Sequence, residues 1–368
     1  MQYRGTYIQV DLSAIARNTA ALKRAVAPAQ MMAVVKANAY GHGLIKTAQT
    51  ALRSGADCLG VALPEEGEAL RAAGVTAPIL VLGPVNRQGA EASVRWGLTQ
   101  TVFDPERAEM LEQAAEAQGK TALVHIKCDT GMGRIGVREE EELAALLRKI
   151  GECPHVRLTG AFTHFADADG EGEEYTRFQI ARFEEMRRLL PRGILIHASA
   201  SAAGARYPEA RYDMVREGIS LYGCPPVREE IPLEPALSWH TEISYIKTIP
   251  AGACVSYGRA FRAARETRVA TLPVGYGDGY HRALSGKAQV LIAGKRCPVI
   301  GRVCMDQIMV DVTALSPAEA FMGAPVVLLG RQGGQEITAD QLAAWAGTIS
   351  YEMLLAATAR VPIRYINE

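Results

Sequence analysis

The sequence predicts an α/β fold: a (β/α)8 TIM-type barrel over residues 10–230, followed by a second, mostly β domain over residues 231–368. Three observations carry this reading. Short runs rich in Val, Ile, Leu and Ala recur through the first two thirds of the chain. Helical patterns of Glu and Arg interleaved with Ala and Leu separate them. The alternation then stops at a proline-rich stretch, Cys224 to Leu237, which holds Pro225, Pro226, Pro232 and Pro235.

The strand candidates are Met31–Lys36, Asp57–Ala62, Ile79–Gly83, Gln100–Phe103, Ala122–Lys127, Leu158–His164, Ile194–Ser199 and Met214–Tyr222. Continuous apolar runs suit parallel strands covered on both faces. Helices are expected at Leu12–Val26, Pro64–Ala73, Pro105–Gln118, Glu139–Ile150 and Tyr175–Leu190. Eight strands with intervening helices suit a barrel better than an open doubly wound sheet, which more often stops sooner. Beyond the prolines the pattern is β-rich: Trp239–Ile249, Arg268–Leu272, Ala288–Ile292, Cys297–Val303, Ile308–Val312 and Pro325–Leu329. Ala293-Gly294-Lys295 reads as a hairpin tip. One helix is expected at Thr338–Ala346, with Thr338 as N-cap.

Forty basic and forty acidic residues give no net charge, so no surplus of Lys and Arg suggests nucleic-acid binding. No run approaches the ~18 apolar residues that span a membrane, and Met1 to Leu12 is too polar for a signal peptide. The seven cysteines are scattered and contain no C-x-x-C pair, which suggests neither a disulfide framework nor a metal site. Cys58, Cys297 and Cys304 sit in apolar runs and read as buried thiols. A cytoplasmic protein is expected.

In a barrel, strand ends and the loops after them form the active site. The first strand ends at Lys36, followed by Ala37-Asn38-Ala39-Tyr40-Gly41-His42-Gly43. Lys127 leads to Asp129-Thr130-Gly131-Met132-Gly133-Arg134, the next strand ends at His164, the seventh leads to Ser201, and the eighth contains Arg216. Two lysines, two arginines, a histidine and a serine would share one mouth with few carboxylates. Such a pocket suits a phosphate with a further acidic group. Lys36 by itself reads either as an ordinary strand-end lysine or as a Schiff-base lysine.

Val34-Val35-Lys36-Ala37-Asn38-Ala39-Tyr40-Gly41-His42-Gly43 closely resembles the pyridoxal phosphate attachment motif of bacterial alanine racemases, enzymes of fold type III. Lys127 to Arg134, Arg216-Glu217-Gly218-Ile219, Val255-Ser256-Tyr257-Gly258, Gly275-Tyr276-Gly277-Asp278-Gly279 and Cys304-Met305-Asp306 resemble further signatures of that family, in its order. The resemblance covers nearly the whole chain. It implies a barrel followed by a β domain that also takes in residues 1–9.

The resemblance also implies site roles. Lys36 would hold pyridoxal 5'-phosphate and act as one catalytic base, with Tyr257 as the other. Inversion at Cα needs a base on each face. Arg216 would face the ring nitrogen and, with His164, lower the pKa of Tyr257. Tyr40, Ser201 and the backbone at Gly218 and Ile219 would take the phosphate. Arg134 would meet the cofactor's phenolic oxygen and the substrate carboxylate, and Lys127 matches a position that is often carbamylated. Met305, Asp306, Tyr276 and Tyr351 would line the substrate pocket and its entrance. Tyr257 would reach into a second subunit, so the site is shared across a homodimer.

The implied reaction interconverts L- and D-alanine and supplies D-alanine for cell-wall peptidoglycan. A serine or broad-specificity racemase is the alternative, against which Tyr351 argues because serine-preferring relatives tend to carry a smaller residue. A single-barrel pyridoxal phosphate carrier would lack the second domain. One departure is Ala200, where the family usually has Asn.

Overall fold

The computed structural model describes residues 4–227 and 231–367. The chain divides into two compact units, residues 14–39 with 43–234, and residues 1–13 and 40–42 with 235–368. The masonry of the first is an eight-stranded sheet. Its strands follow β1 (Tyr7–Asp11), which belongs to the second unit: β2 (Gln30–Val34), β3 (Cys58–Val61), β4 (Ile79–Val81), β5 (Thr99–Val102), β6 (Ala122–Lys127), β7 (Val156–Phe162), β8 (Leu195–His197) and β9 (Met214–Glu217).

These eight strands pair in parallel in the order β8-β7-β6-β5-β4-β3-β2-β9. The ends meet through Asp213 N–H to Ile196 O at 3.0 Å and Arg216 N–H to Ser199 O at 3.0 Å, so the sheet closes as expected of a (β/α)8 barrel. Several strands are shorter than the apolar runs suggest. β2 stops at Val34, two residues before Lys36, and β7 stops at Phe162, two before His164. The run from Met214 stops at Glu217, and Ile219–Tyr222 is a 3-10 turn.

The helix at Pro105–Gln118 has the start and stop that its sequence encodes. Asp104 Oδ1 accepts the Arg107 amide at 2.8 Å, proline holds the first turn, and Gly119 closes it at φ 59°. Two helices have weaker signals, Leu44–Arg53 and Arg87–Arg95. They bury Thr47, Ala48, Thr50 and Ala51 in one and Ala90, Ser93 and Val94 in the other, faces with few large apolar residues.

In the second unit β1 lies between Leu237–Glu242, antiparallel, and Ile363–Ile366, parallel, within a ten-stranded sheet. The run Trp239–Ile249 divides into Leu237–Glu242 and Tyr245–Ile249, because Ile243 N–H turns to Ala324 O and Ser244 N–H to Thr271 O. Ile292 pairs with Lys295, leaving Ala293 and Gly294 as a two-residue hairpin turn at φ 50° and 73°. Thr338 caps Ala339–Ala346 by accepting the Gln341 amide, and a further helix, Ser350–Leu355, carries Tyr351. Cys58 and Cys297 are buried, whereas Cys304 is only half-buried. No helix among the described residues is long and apolar enough to cross a membrane.

Asn18, buried in the helix Leu12–Val26, ties the end of the barrel unit to its start. It donates to Leu221 O at 3.1 Å and Glu234 O at 2.8 Å and accepts the Glu234 amide at 2.8 Å. Asn18→Ala strands these groups, and we expect a loss of about 1–3 kcal/mol, read from the urea midpoint. An unchanged midpoint would rule the tie out as a stabilising feature.

Candidate active site

Lys36 opens a backbone feature with a high intrinsic cost. Ala37, Asn38, Ala39 and Tyr40 have φ of 53°, 54°, 54° and 51°, a left-handed turn of four residues that carry side chains. At about 1–2 kcal/mol each, the turn costs on the order of 4–8 kcal/mol, comparable with the whole stability of many domains. Several contacts hold it. Ala39 N–H bonds Val35 O at 2.8 Å, and Asn38 accepts the Leu44 amide through its side chain and the Gly43 amide through its carbonyl, both at 2.9 Å. Ala37 N–H donates to Glu66 Oε1 at 2.6 Å. Ala39 and Tyr40 are buried. Burial, then the charge of Arg134 and, behind the opposing effect of Glu66, of Arg216, lower the Lys36 pKa.

Arg216 is buried on β9 and donates to Thr163 O at 2.9 Å, Ala198 O at 2.7 Å, His197 Nδ1 at 2.9 Å and His164 Nδ1 at 3.2 Å. Burial and, second to it, Arg134 push its pKa down to about 9. Every partner is an acceptor, so the cation is the form this site holds at neutral pH. A guanidinium only donates, which assigns the tautomers of its neighbours. His197 must carry its proton on Nε2, which lies 3.0 Å from His125 Nδ1. His125 then carries its own on Nε2. Phe162 stacks on His197 at 4.7 Å and lies beneath Arg216 at 5.4 Å.

Lys127 is buried on β6, its Nζ donating to Cys128 O at 2.6 Å, and burial above all lowers its pKa to about 8. The following loop folds on Asp129, whose Oδ1 accepts the Gly131 amide at 3.1 Å and the Gly133 amide at 2.9 Å. That cradle delivers Arg134, whose charge reaches Lys36, His164 and Arg216. Ser201 is buried at the first position of the helix Ser201–Arg206, with Ala200 rather than the serine as its N-cap. Its Oγ lies 3.0 Å from Gly218 N and 3.5 Å from Ser220 N, so amides next to Ile219 converge on one hydroxyl. Lys36, Lys127, Arg134, His164, Ser201 and Arg216 therefore all belong to the loops and strand ends of one barrel unit.

The remaining candidates belong to the second unit. Tyr257 stands at the tip of a two-stranded ribbon, Cys254–Val255 with Phe261–Arg262, rather than within a strand, and is 70% exposed. Tyr276 N–H bonds Cys304 O at 3.0 Å and Gly277 N–H bonds Met305 O at 2.8 Å, which docks the Tyr276 turn on the Met305-Asp306 loop. Arg360 bonds Asp306 at 2.9 Å and lies 3.4 Å from the buried carboxylate of Asp278, which also pairs with Arg4. Tyr40 and Tyr351 pack with ring centroids 6.1 Å apart.

Sequence reasoning missed His125, His197 and Glu66. His125 and Lys127 alternate along β6 and therefore share a face, a signal that was available. His197 ends an apolar strand as Lys127 does. Glu66 is indistinguishable from an ordinary helix-start carboxylate until its second oxygen is seen on Ala37.

A barrel joined to a mostly β domain is also the architecture of solved alanine racemases. The alanine racemase N-terminal domain model matches residues 10–226 and the C-terminal domain model residues 236–365. Alanine racemase from Symbiobacterium thermophilum is 48% identical over 99% of this chain and 98% of its own, and alanine racemase 1 from Bacillus subtilis is 40% identical over 99% and 94%. The solved alanine racemase of Bacillus anthracis with bound L-Ala-P superposes with a TM-score of 0.93 at 38% identity, covering 100% of this chain and 96% of its own. A histidine racemase from Leuconostoc mesenteroides superposes at 0.91 with 30% identity, covering 100% and 99%. The chain belongs to the alanine racemase family.

The three imidazoles have a consequence for acid stability. Burial holds His125 at about 4, and burial followed by Arg216 holds His164 and His197 well below the usual histidine value of 6.5. The unfolded chain therefore takes up protons first, so stability present at neutral pH is lost as pH falls below about 6.5. Each group contributes about 1.4 kcal/mol per pH unit across that window. Urea unfolding between pH 7.5 and 5 should show this steep fall, and His125→Gln should flatten it by about a third. A flat profile would contradict neutral buried imidazoles.

Proposed function

We propose that the chain is an alanine racemase that uses pyridoxal 5'-phosphate and interconverts L- and D-alanine for peptidoglycan synthesis in the cytoplasm. The observation that carries this reading is the cationic barrel mouth around an amine whose pKa is lowered. The donor set fits the cofactor: Lys36 for its aldehyde, the Arg216 N–H groups for the ring nitrogen, and Ser201 with the amides beside Gly218 and Ile219 for the phosphate. Tyr40, packed on Tyr351, would complete the phosphate end. When bound, the cofactor withdraws electrons from the substrate's Cα and acidifies its proton.

The chain's own groups then divide the work. Lys36 Nζ takes or returns a proton on one face of Cα. Tyr257 Oη of a second copy serves the other, which the phenol's exposure on its ribbon supports. A phenol needs nearby positive charge to act near neutral pH. Arg216 supplies it through neutral His164, whose Nδ1 already accepts from the guanidinium and whose Nε2 is left to donate. Because Arg216 stays protonated, it would donate to the ring nitrogen of a bound cofactor without protonating it, which would limit charge delocalisation and side reactions. Arg134 and the Met305 amide would take the substrate carboxylate, with Asp306 and Tyr276 beside them. The lowered pKa of Lys127 leaves part of its amine neutral, the form that adds to carbon dioxide with loss of a proton. The carbamate would turn Lys127 into an anion that orients Arg134.

The histidine racemase relative demonstrates that this fold serves more than one side chain. Here Tyr351, its ring centroid 6.1 Å from that of Tyr40, favours alanine over serine or a broader set, because serine-preferring relatives tend to carry a smaller residue there. The second unit also argues against a single-barrel cofactor carrier.

Incubation with L-alanine in deuterated water should yield D-alanine labelled at Cα, and absence of exchange with any small amino acid would sink the proposal. Lys36→Ala should abolish both turnover and the visible absorption of lysine-bound cofactor. Tyr257→Phe should keep the absorption and lose turnover by about 100-fold or more. Full activity of Tyr257→Phe in both directions would refute the two-base account.

A further inference from the structure

The left-handed turn after Lys36 is held by a carboxylate with two separate duties. Glu66 lies in the first turn of the helix Pro64–Ala72. Its Oε2 accepts the amides of Ala62 at 2.8 Å and Leu63 at 3.2 Å, which is ordinary capping at a helix start. Capping requires nothing more. Yet Oε1 reaches across to accept the Ala37 amide at 2.6 Å, the first residue of the left-handed turn and the neighbour of Lys36.

We propose that Glu66 is a positioning residue for Lys36, locking the left-handed turn to the end of β3 so that the amine is held at one place and in one electrostatic setting. This role presupposes that Lys36 is the cofactor-bearing base. A carboxylate is the one side chain of this length that accepts at both ends. Glutamine in its place must turn its NH2 towards an amide N–H on one side, so it cannot serve Ala37 and the Ala62–Leu63 pair together. Charge matters as well as shape. Among the groups that shift Lys36, Arg134 and Arg216 act in one direction and Glu66 alone acts in the other.

The test compares Glu66→Gln, Glu66→Asp and, as a control on an exposed neighbour in the same helix turn, Glu65→Gln, each as holoenzyme. Losing the anion in Glu66→Gln should shift the pH midpoint of the lysine-bound cofactor absorption down by roughly one unit. It should also lower kcat for alanine about tenfold with little change in KM, because the base is misplaced. Amide exchange at residues 37–40 should quicken. Glu66→Asp keeps the charge but is one methylene short, so it should restore the midpoint and not kcat. Glu65→Gln should match the wild type in all three. If Glu66→Gln matches the wild type in midpoint, kcat and exchange, Glu66 is only a helix cap. A wild-type enzyme without lysine-bound absorption would overturn the Lys36 assignment and this inference together, an outcome distinct from the first.

Discussion

Inside the barrel, one guanidinium sets terms for everything around it. Arg216 has donors and no acceptor, so every group it meets must present a lone pair: two backbone carbonyls and two imidazole nitrogens. That requirement fixes the protonation of His164 and His197, and through His197 that of His125. Together with burial, it favours the neutral form of all three rings. Its own backbone N–H, bonded to Ser199 O, is also one of the bonds that close the sheet. A single residue thus joins barrel closure to site electrostatics. Its replacement by lysine would keep the charge and lose the fan of donors that organises the ring pairs.

The second unit is ordered by the opposite sign. Asp278 is a fully buried carboxylate, and it accepts the Gly275 amide at 3.1 Å while facing Arg4 and Arg360. Unpaired, such a charge would be costly; paired on both sides, it draws three distant stretches of chain together. The Tyr276 turn, the Met305-Asp306 loop and Arg360 are held in one arrangement as a result. Tyr257 is treated differently. Its ribbon offers the ring to solvent, with Ser256 at φ 70° and Arg259 at φ 51° flanking the tip.

Much of this was legible in the sequence, for physical reasons that differ from place to place. The barrel could be read because parallel strands buried on both faces leave unbroken apolar runs, as in Ala122–Lys127, which matches β6 residue for residue. Strand ends were overrun where apolar residues continue into a turn, as at Ile219 to Tyr222. Helices with strong caps, such as Pro105–Gln118, were readable; Arg87–Arg95, which buries alanine, serine and valine, was not. The charged candidates of the barrel mouth could be collected because strand ends gather at one side of any such barrel. The left-handed turn could not be foreseen, since alanine, asparagine and tyrosine do not announce positive φ as glycine does. Nor could the pairing of His125 on β6 with His197 on β8, which depends on register rather than on spacing along the chain.

The left-handed turn also bears on how this protein can change. Four residues with side chains stand where glycine would rest more easily, and the surrounding contacts hold them there against their own preference. Substitutions that relax the segment, such as glycine at Ala37 or Ala39, run with the grain of the backbone and against that of the site. Selection for a hardier protein and selection for a faster enzyme would therefore pull these positions apart. The tension is written into a stretch of four residues.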